Sequence, residues 1–382
     1  MVDRTNSRVN DTFVDLRLVR AGCSRLAWAE GQTFRIPRAL LESTRLAQFV
    51  SRDGAVSLPD QCDAATPADA HALREFAAFT ESPPTTARLP VSYRRVPGTL
   101  RAAAASLIGR LRRRQADRWA RFPRWPLDLS ADFLSDVAKE RCAVPPPTPV
   151  VLTHDIDSAE GLTNLTRNFL DREEAAGARS VNYVVPRGWT LDAAALREIR
   201  ARGHEIGVHG FDHSNRTPFV DPAARRERLE AGRRFGDEHG ATGYRAPSLL
   251  RTRALVRDVG ERFAYDSSIP TSGGLFPVPN NGCASARPFV VEGALELPLS
   301  MPRDGSLRFL GYSAAEILQL WIDCAAAIAR SGGVIVLLTH CERRFSGTSA
   351  MLDAYSRLLE HFGSAGGYRF SQPADVLVRP AA

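Results

Sequence analysis

The sequence predicts an α/β protein: a large C-terminal part built on a mostly parallel sheet, preceded by a smaller α+β unit. Three observations predict it. Apolar runs alternate with helical segments from residue 150 to 378, the pattern of strand–helix units side by side. About seven such units fit, enough for barrel-like closure. Four prolines in Val144-Pro145-Pro146-Pro147-Thr148-Pro149 separate this region from what precedes it.

Before the break, Phe13-Val14-Asp15-Leu16-Arg17-Leu18 and Thr33-Phe34-Arg35-Ile36 alternate apolar and polar residues and read as strands. Residues 67–80 read as a helix. Residues 99–121 read as a longer one, with Leu100, Ala104, Leu107, Ile108 and Leu111 on one face. Arg94 to Trp125 holds ten arginines and one acid, Asp117. Such a basic amphipathic helix is either a solvated face of a packed helix or a peripheral contact with anionic lipid or phosphate. The proline run excludes helix and central strand and reads as a stiff linker. It divides the chain into an N-terminal accessory unit, 1–145, and a second domain, 146–382.

After the break, Val150-Val151-Leu152-Thr153 and Ser180 to Val185 read as buried parallel strands. Residues 191–202 are helical, Glu205 to His209 a short strand and 222–239 a helix. Residues 313–330 form another helix, ahead of the most apolar strand, Val334-Ile335-Val336-Leu337-Leu338.

The chain has 382 residues, 44% of them hydrophobic, and a formal net charge of +7. Its single lysine, Lys139, follows no glycine-rich loop, which excludes a phosphate-binding GxxxxGK[ST] loop and a Schiff-base mechanism. Six cysteines without a CxxC pair do not make a disulfide scaffold. The polar stretch from Met1 to Asn10 lacks the apolar core of a signal peptide, and no run approaches a membrane span. A cytoplasmic protein is expected. No nucleic-acid motif accompanies the basic charge.

The ionisable residues gather where strands end, the place where such folds keep their chemistry. Strand one ends in Thr153-His154-Asp155-Ile156-Asp157. Its two carboxylates share a face in extended backbone and need a cation, metal or arginine, to sit together. Strand three ends in His209-Gly210-Phe211-Asp212-His213. If the chain turns helical there, both imidazoles lie on one side, suited to a divalent metal. Two histidines and a carboxylate leave positions open for water and substrate. Tyr244-Arg245-Ala246-Pro247-Ser248, Tyr265-Asp266-Ser267-Ser268 and Leu338-Thr339-His340 complete the set.

Over residues 148–378 these motifs, in this order, resemble the polysaccharide-deacetylase superfamily (NodB homology, carbohydrate esterase family 4). The family's T-F-D-D-G is replaced by Thr153-His154-Asp155-Ile156-Asp157, similar to the D-x-D variant of intracellular and cyclic-imidase-like members. H-x-x-x-H matches His209 and His213. R-x-P-[YF] matches Arg245 and Pro247, with Ser248 in the aromatic position.

The resemblance implies a distorted (β/α)7 barrel and a metal-dependent hydrolase that removes an N-acetyl or other acyl group from an amino sugar or glycan intermediate. It implies Asp157, His209 and His213 as ligands of one divalent ion, zinc foremost, with iron, cobalt or nickel as alternatives. Asp155 is then the base, paired with Arg245. His340 is the acid, oriented by Asp266, and Leu338 lines a pocket for the acyl methyl. Tyr244 and Ser248 flank the backbone that meets the oxyanion. The alternatives are a cyclic imide or ureide C–N hydrolase on the same site, and a non-catalytic carbohydrate-binding protein.

Overall fold

The computed structural model describes residues 13–60, 63–88, 96–119, 126–140, 144, 146–273 and 282–377. The polar stretch at Met1–Asn10 lies outside them, as do both ends of the arginine-rich segment.

The N-terminal strands form as their alternation predicts. β1 (Phe13–Arg20) pairs antiparallel with β2 (Thr33–Pro37) and parallel with β3 (Ala55–Ser57). Leu16 and Leu18 point into a separate small core with Phe34, Ile36 and Val56, because alternate side chains of a strand face opposite ways. Helix α1 (Pro67–Phe76) starts at a capping box between Thr66 and Asp69. Helix α2 (Gly98–Trp119) is the basic one. Its Leu100, Leu107 and Leu111 are exposed. Arg113 packs over the Tyr312 ring and hydrogen-bonds Gly311 O at 3.2 Å.

Helix α3 (Ser130–Val137) is buried along its whole length. Phe133 stacks on Phe34 at 4.2 Å on one side. On the other, Asp136 takes both terminal nitrogens of Arg287 at 2.8 Å and Asp132 accepts from Ala286 N–H. Breaking such a buried pair costs about 3–5 kcal/mol, so α3 pins the N-terminal sheet to the barrel.

The second sheet runs β11-β4-β5-β6-β7-β8-β10-β9, with β12 also on β4. Its strands are β4 (Thr148–Ile156), β5 (Ser180–Val184), β6 (Glu205–Val208), β7 (Gly243–Tyr244), β8 (Tyr265–Asp266), β9 (Phe289–Val291), β10 (Ala294–Glu296), β11 (Ile335–His340) and β12 (Tyr368–Phe370). Residues 159–175, α4 (Ala193–Ala201), α5 (Pro222–His239) and α6 (Arg253–Gly260) cross outside it. So do α7 (Asp304–Phe309), α8 (Ala314–Ser331) and α9 (Ser349–Ser364).

The chain after β10 closes the barrel. Met301 N–H donates to Val336 O at 3.1 Å, and Ser300 Oγ bonds Val336 N–H and Val334 O. Seven parallel stretches thus surround a core that includes Val151, Tyr183, Leu249, Tyr265, Leu299 and Leu338. This is the distorted (β/α)7 barrel expected.

Two local expectations are corrected. Pro149 lies within β4, paired with Arg369 of β12. Thr148 N–H and Val150 O bond toward β12, so Pro149 faces the other side. There β11 begins only opposite Val150, and the missing N–H has no partner to lose. The chain after β6 does not turn helical. Gly210 (φ 66°), His213 (φ 54°) and Asn215 (φ 66°) are left-handed, and the stretch is a loop. A Cβ on Gly210 would lie 2.4 Å from Pro247, so only glycine lets this loop lie against the one after β7.

Candidate active site and metal centre

The pleat decides which groups meet. On β4, Val151, Thr153 and Asp155 face the barrel interior, whereas Val150, Leu152 and His154 face the helices. His154, where the family has an aromatic residue, is buried between Glu173 Oε1 (2.7 Å) and Thr339 Oγ1 (2.8 Å). On β11, Val336 and Leu338 point inward, and His340 lies in register with Asp155.

Asp157, His209 and His213 come together, each offering an atom within 4.8 Å of the others. His209 Nε2 is 3.5 Å from Asp157 Oδ1, and His213 Nε2 is 3.4 Å from Asp157 Oδ2. Asp155 Oδ2 is 3.5 Å from His209 Nε2. His209 Nδ1 lies 3.0 Å from Arg245 O. A carbonyl only accepts, so Nδ1 carries the proton and the Nε2 lone pair points at the cluster. That Nε2 is buried with no hydrogen-bond partner among the described residues, as expected of an atom placed to ligate. Two imidazoles and a carboxylate suit a divalent transition metal. Burial disfavours the Asp157 charge, but His213 and His209 override it and hold the carboxyl well below its usual range.

Arg245 is fully buried and spends its fork on the site. Nη1 donates to Asp155 Oδ1 (3.1 Å) and Thr153 Oγ1 (2.8 Å), Nε to Ser267 O and Nη2 to Ser267 Oγ. The guanidinium lies over the Tyr183 ring at 4.1 Å. Burial works against the Asp155 charge, yet His209, Arg245 and His340 keep its carboxyl below the ordinary value.

His340 Nδ1 meets Asp304 Oδ1 at 2.8 Å. Asp304 Oδ2 accepts from His340 N–H and Ser346 Oγ–H, and Phe345 packs on the ring at 4.8 Å. Burial lowers the imidazole's pKa, but Asp304, with Asp155 and Asp157 beyond it, more than compensates and raises it to about 9.

Asp304 therefore corrects the expectation that Asp266 orients His340. Asp266 bonds Ser268 Oγ, and burial raises its carboxyl to about 6 beside Glu296. Tyr244 is corrected too. Strand alternation turns Arg245 inward, so the Tyr244 ring enters the helix layer against Phe263 at 5.1 Å. Ser248 occupies a left-handed turn, φ 53°, next to Leu249 in the barrel core.

Sequence reasoning missed two acids. Asp304 is marked only by its place at the start of α7, after Met301-Pro302-Arg303. Glu342, two residues past His340, accepts from Ser158 Oγ at 2.7 Å behind Asp157. Burial, then Asp157, pushes it up to about 7. Nothing in its sequence context singles it out.

The barrel thus carries two histidines and a carboxylate that could hold a divalent ion, with a buried carboxylate beside them. Residues 143–260 match the family model described as Polysaccharide deacetylase. That stretch is similar to the polysaccharide-deacetylase, or NodB-homology, superfamily.

Several solved structures are similar. One is a Mycobacterium smegmatis protein assigned as a polysaccharide deacetylase: 19% identity, 63% of this chain and 98% of that one, TM-score 0.49. Another is a family 4 carbohydrate esterase from Streptomyces lividans in complex with acetate: 14%, 60% and 94%, TM-score 0.40. A third is the PuuE allantoinase: 17%, 60% and 89%, TM-score 0.43. Likenesses at this level speak to neither substrate nor reaction. No curated protein matches the chain.

Proposed function

We propose that the protein is a hydrolase removing an N-acyl group, acetyl in the first instance, from an amino sugar or glycan intermediate. The observation that carries this reading is the paired arrangement across β4 and β11. Asp155 is clamped by Arg245 beside the Asp157–His209–His213 cluster, and His340 is clamped by Asp304 next to it in register. One ionised carboxylate and one charged imidazole held apart by their surroundings make a base and an acid. A decayed carbohydrate-binding barrel has no use for both.

Asp157, His209 and His213 would hold a divalent ion, zinc first among the candidates, which would supply Lewis-acid chemistry toward water and the acyl oxygen. Asp155 takes the proton of the attacking water, with Arg245 fixing the carboxylate's direction. His340 gives a proton from Nε2 to the leaving nitrogen, since Nδ1 is committed to Asp304. Around the oxyanion, the N–H groups of Arg245, Ala246 and Leu249 are spent on Val208 O, Ser268 Oγ and Ala246 O. Pro247 has none. Ser248 is the residue whose amide serves there, and Tyr244 contributes only backbone. Leu338, one inward position below His340, lines the floor for the acyl methyl.

Acetate release from a panel of soluble N-acetylhexosamine derivatives tests the reading. Turnover should vanish with a chelator and return with zinc, iron, cobalt or nickel. Release of ammonia or a ring-opened product from a cyclic imide or ureide, without acetate release, would favour the rival C–N hydrolase.

The N-terminal unit has a separate proposed role, peripheral contact with a membrane surface through α2. The exposed Leu100, Leu107 and Leu111 beside arginines are what support it. No helix among the described residues is long and apolar enough to cross a membrane. The full chain should co-sediment with vesicles rich in anionic lipid at low salt. The triple change L100S/L107S/L111S should reduce this several-fold, and an unchanged bound fraction would remove the role.

A further inference from the structure

Arg303 ends the extended segment that closes the barrel and immediately precedes Asp304, which holds His340. It is 6% exposed, and its neighbours use little of it. Nε donates to Ser306 Oγ at 3.0 Å, while Nη2 is buried with no hydrogen-bond partner among the described residues. A buried guanidinium left this incomplete weakens the fold, so its retention calls for an occupant. Burial lowers its pKa to about 10, with Asp155 and Asp304 acting the other way, and it is cationic at neutral pH.

The guanidinium lines a recess of about 20 Å³ with Leu249, Pro270, Leu299, Met301 and Ser306. Leu249 follows Ser248, and Arg303 precedes Asp304. The recess is thus lined by the chain neighbours of the residue assigned to the oxyanion and of the one that holds His340. It has room for one polar group of a ligand, not a sugar ring. Its walls are otherwise mostly apolar, and it presents one cation.

We propose that Arg303 is a specificity residue that binds a carboxylate carried by the acylated sugar, so that the substrate class is an acidic, uronic-acid-type N-acyl sugar. This rests on the deacylation reading above. A planar carboxylate matches the guanidinium fork and a single charge. A phosphate dianion calls for more donors than this recess offers.

The test is calorimetric binding to the full-length, zinc-loaded protein. The ligands are methyl glycosides of N-acetylglucosamine, of its uronic acid, and of its 6-phosphate. The uronate should bind roughly 10- to 100-fold more tightly than the neutral sugar, the worth of one charged hydrogen-bonded contact. Arg303→Gln should erase that preference and leave neutral-sugar affinity unchanged, and Arg303→Lys should keep part of it. Equal affinity for uronate and neutral sugar in the wild type, a preference for the phosphate, equal losses in R303Q, or no binding of either sugar would each overturn the proposal. The wild-type comparison stands even where a variant folds poorly. A uronate preference dependent on Arg303 but without acetate release would sink the deacylation reading and leave this assignment standing.

Discussion

Asp155→Asn should lower kcat by about 10³-fold, within the range general-base groups supply, while the protein still binds one metal ion. The side chain is buried, and one oxygen is held by Arg245 Nη1 at 3.1 Å. An amide of the same shape keeps an oxygen for Arg245 but cannot take a proton from water. Asp157, His209 and His213 are untouched, so metal content by elemental analysis should match the wild type. His209→Ala is the contrast: it removes a ligand atom and should lose both metal and turnover. If Asp155→Asn kept most of its activity, the base would have to be another group, Glu342 being the next acid to examine. If it lost metal as well, Asp155 would be a ligand rather than a base.

Asp304→Asn should cut kcat by roughly 10²-fold and move the alkaline limb of the rate profile. In the proposed mechanism His340 works as the protonated acid. Its pKa is raised to about 9 because the carboxylates outweigh burial. In the wild type the active form thus persists through neutral pH, and activity falls as pH rises through about 9. Without the Asp304 charge, burial lowers the imidazole's pKa again, so the limb moves toward the acid side. Part of the loss should be recoverable below neutrality. Profiles of kcat/KM against pH for the two proteins check this. An unmoved limb would mean that Asp304 only packs against the ring. Asp266→Asn, by the same measurement, should leave the limb where it is, since Asp266 bonds Ser268 and not His340.

The proposed ligand set illustrates what was legible. His209, His213 and the two aspartates could be read because strand ends and spacings are local properties, carried by a handful of residues. The path between them was not readable. A four-residue spacing suggested a helix, but Gly210 and a left-handed His213 make a loop that brings the second imidazole in. Arg245 was legible as the residue before Ala246-Pro247 and does reach Asp155. Tyr244 beside it could not join, because neighbouring strand residues face opposite ways. Helix α9 goes unassigned in the sequence reading, although Met351, Tyr355, Leu358 and Phe362 have helical spacing. The segment after β10 gave no such signal, and it is this segment that delivers Asp304 and Arg303.

Periodicity, the proline run and the strand-end acids, histidines and arginine were enough to determine an α/β domain and the chemistry available to it. Only the tertiary structure decided which carboxylate holds His340. His340 ends β11 and its partner begins α7, 36 residues apart. Asp266 ends β8 and Asp304 begins α7, both upstream of that histidine, and nothing local says which reaches it. Barrel closure does, by setting the segment after β10 against β11 and leaving Asp266 to Ser268 and Glu296 on another wall.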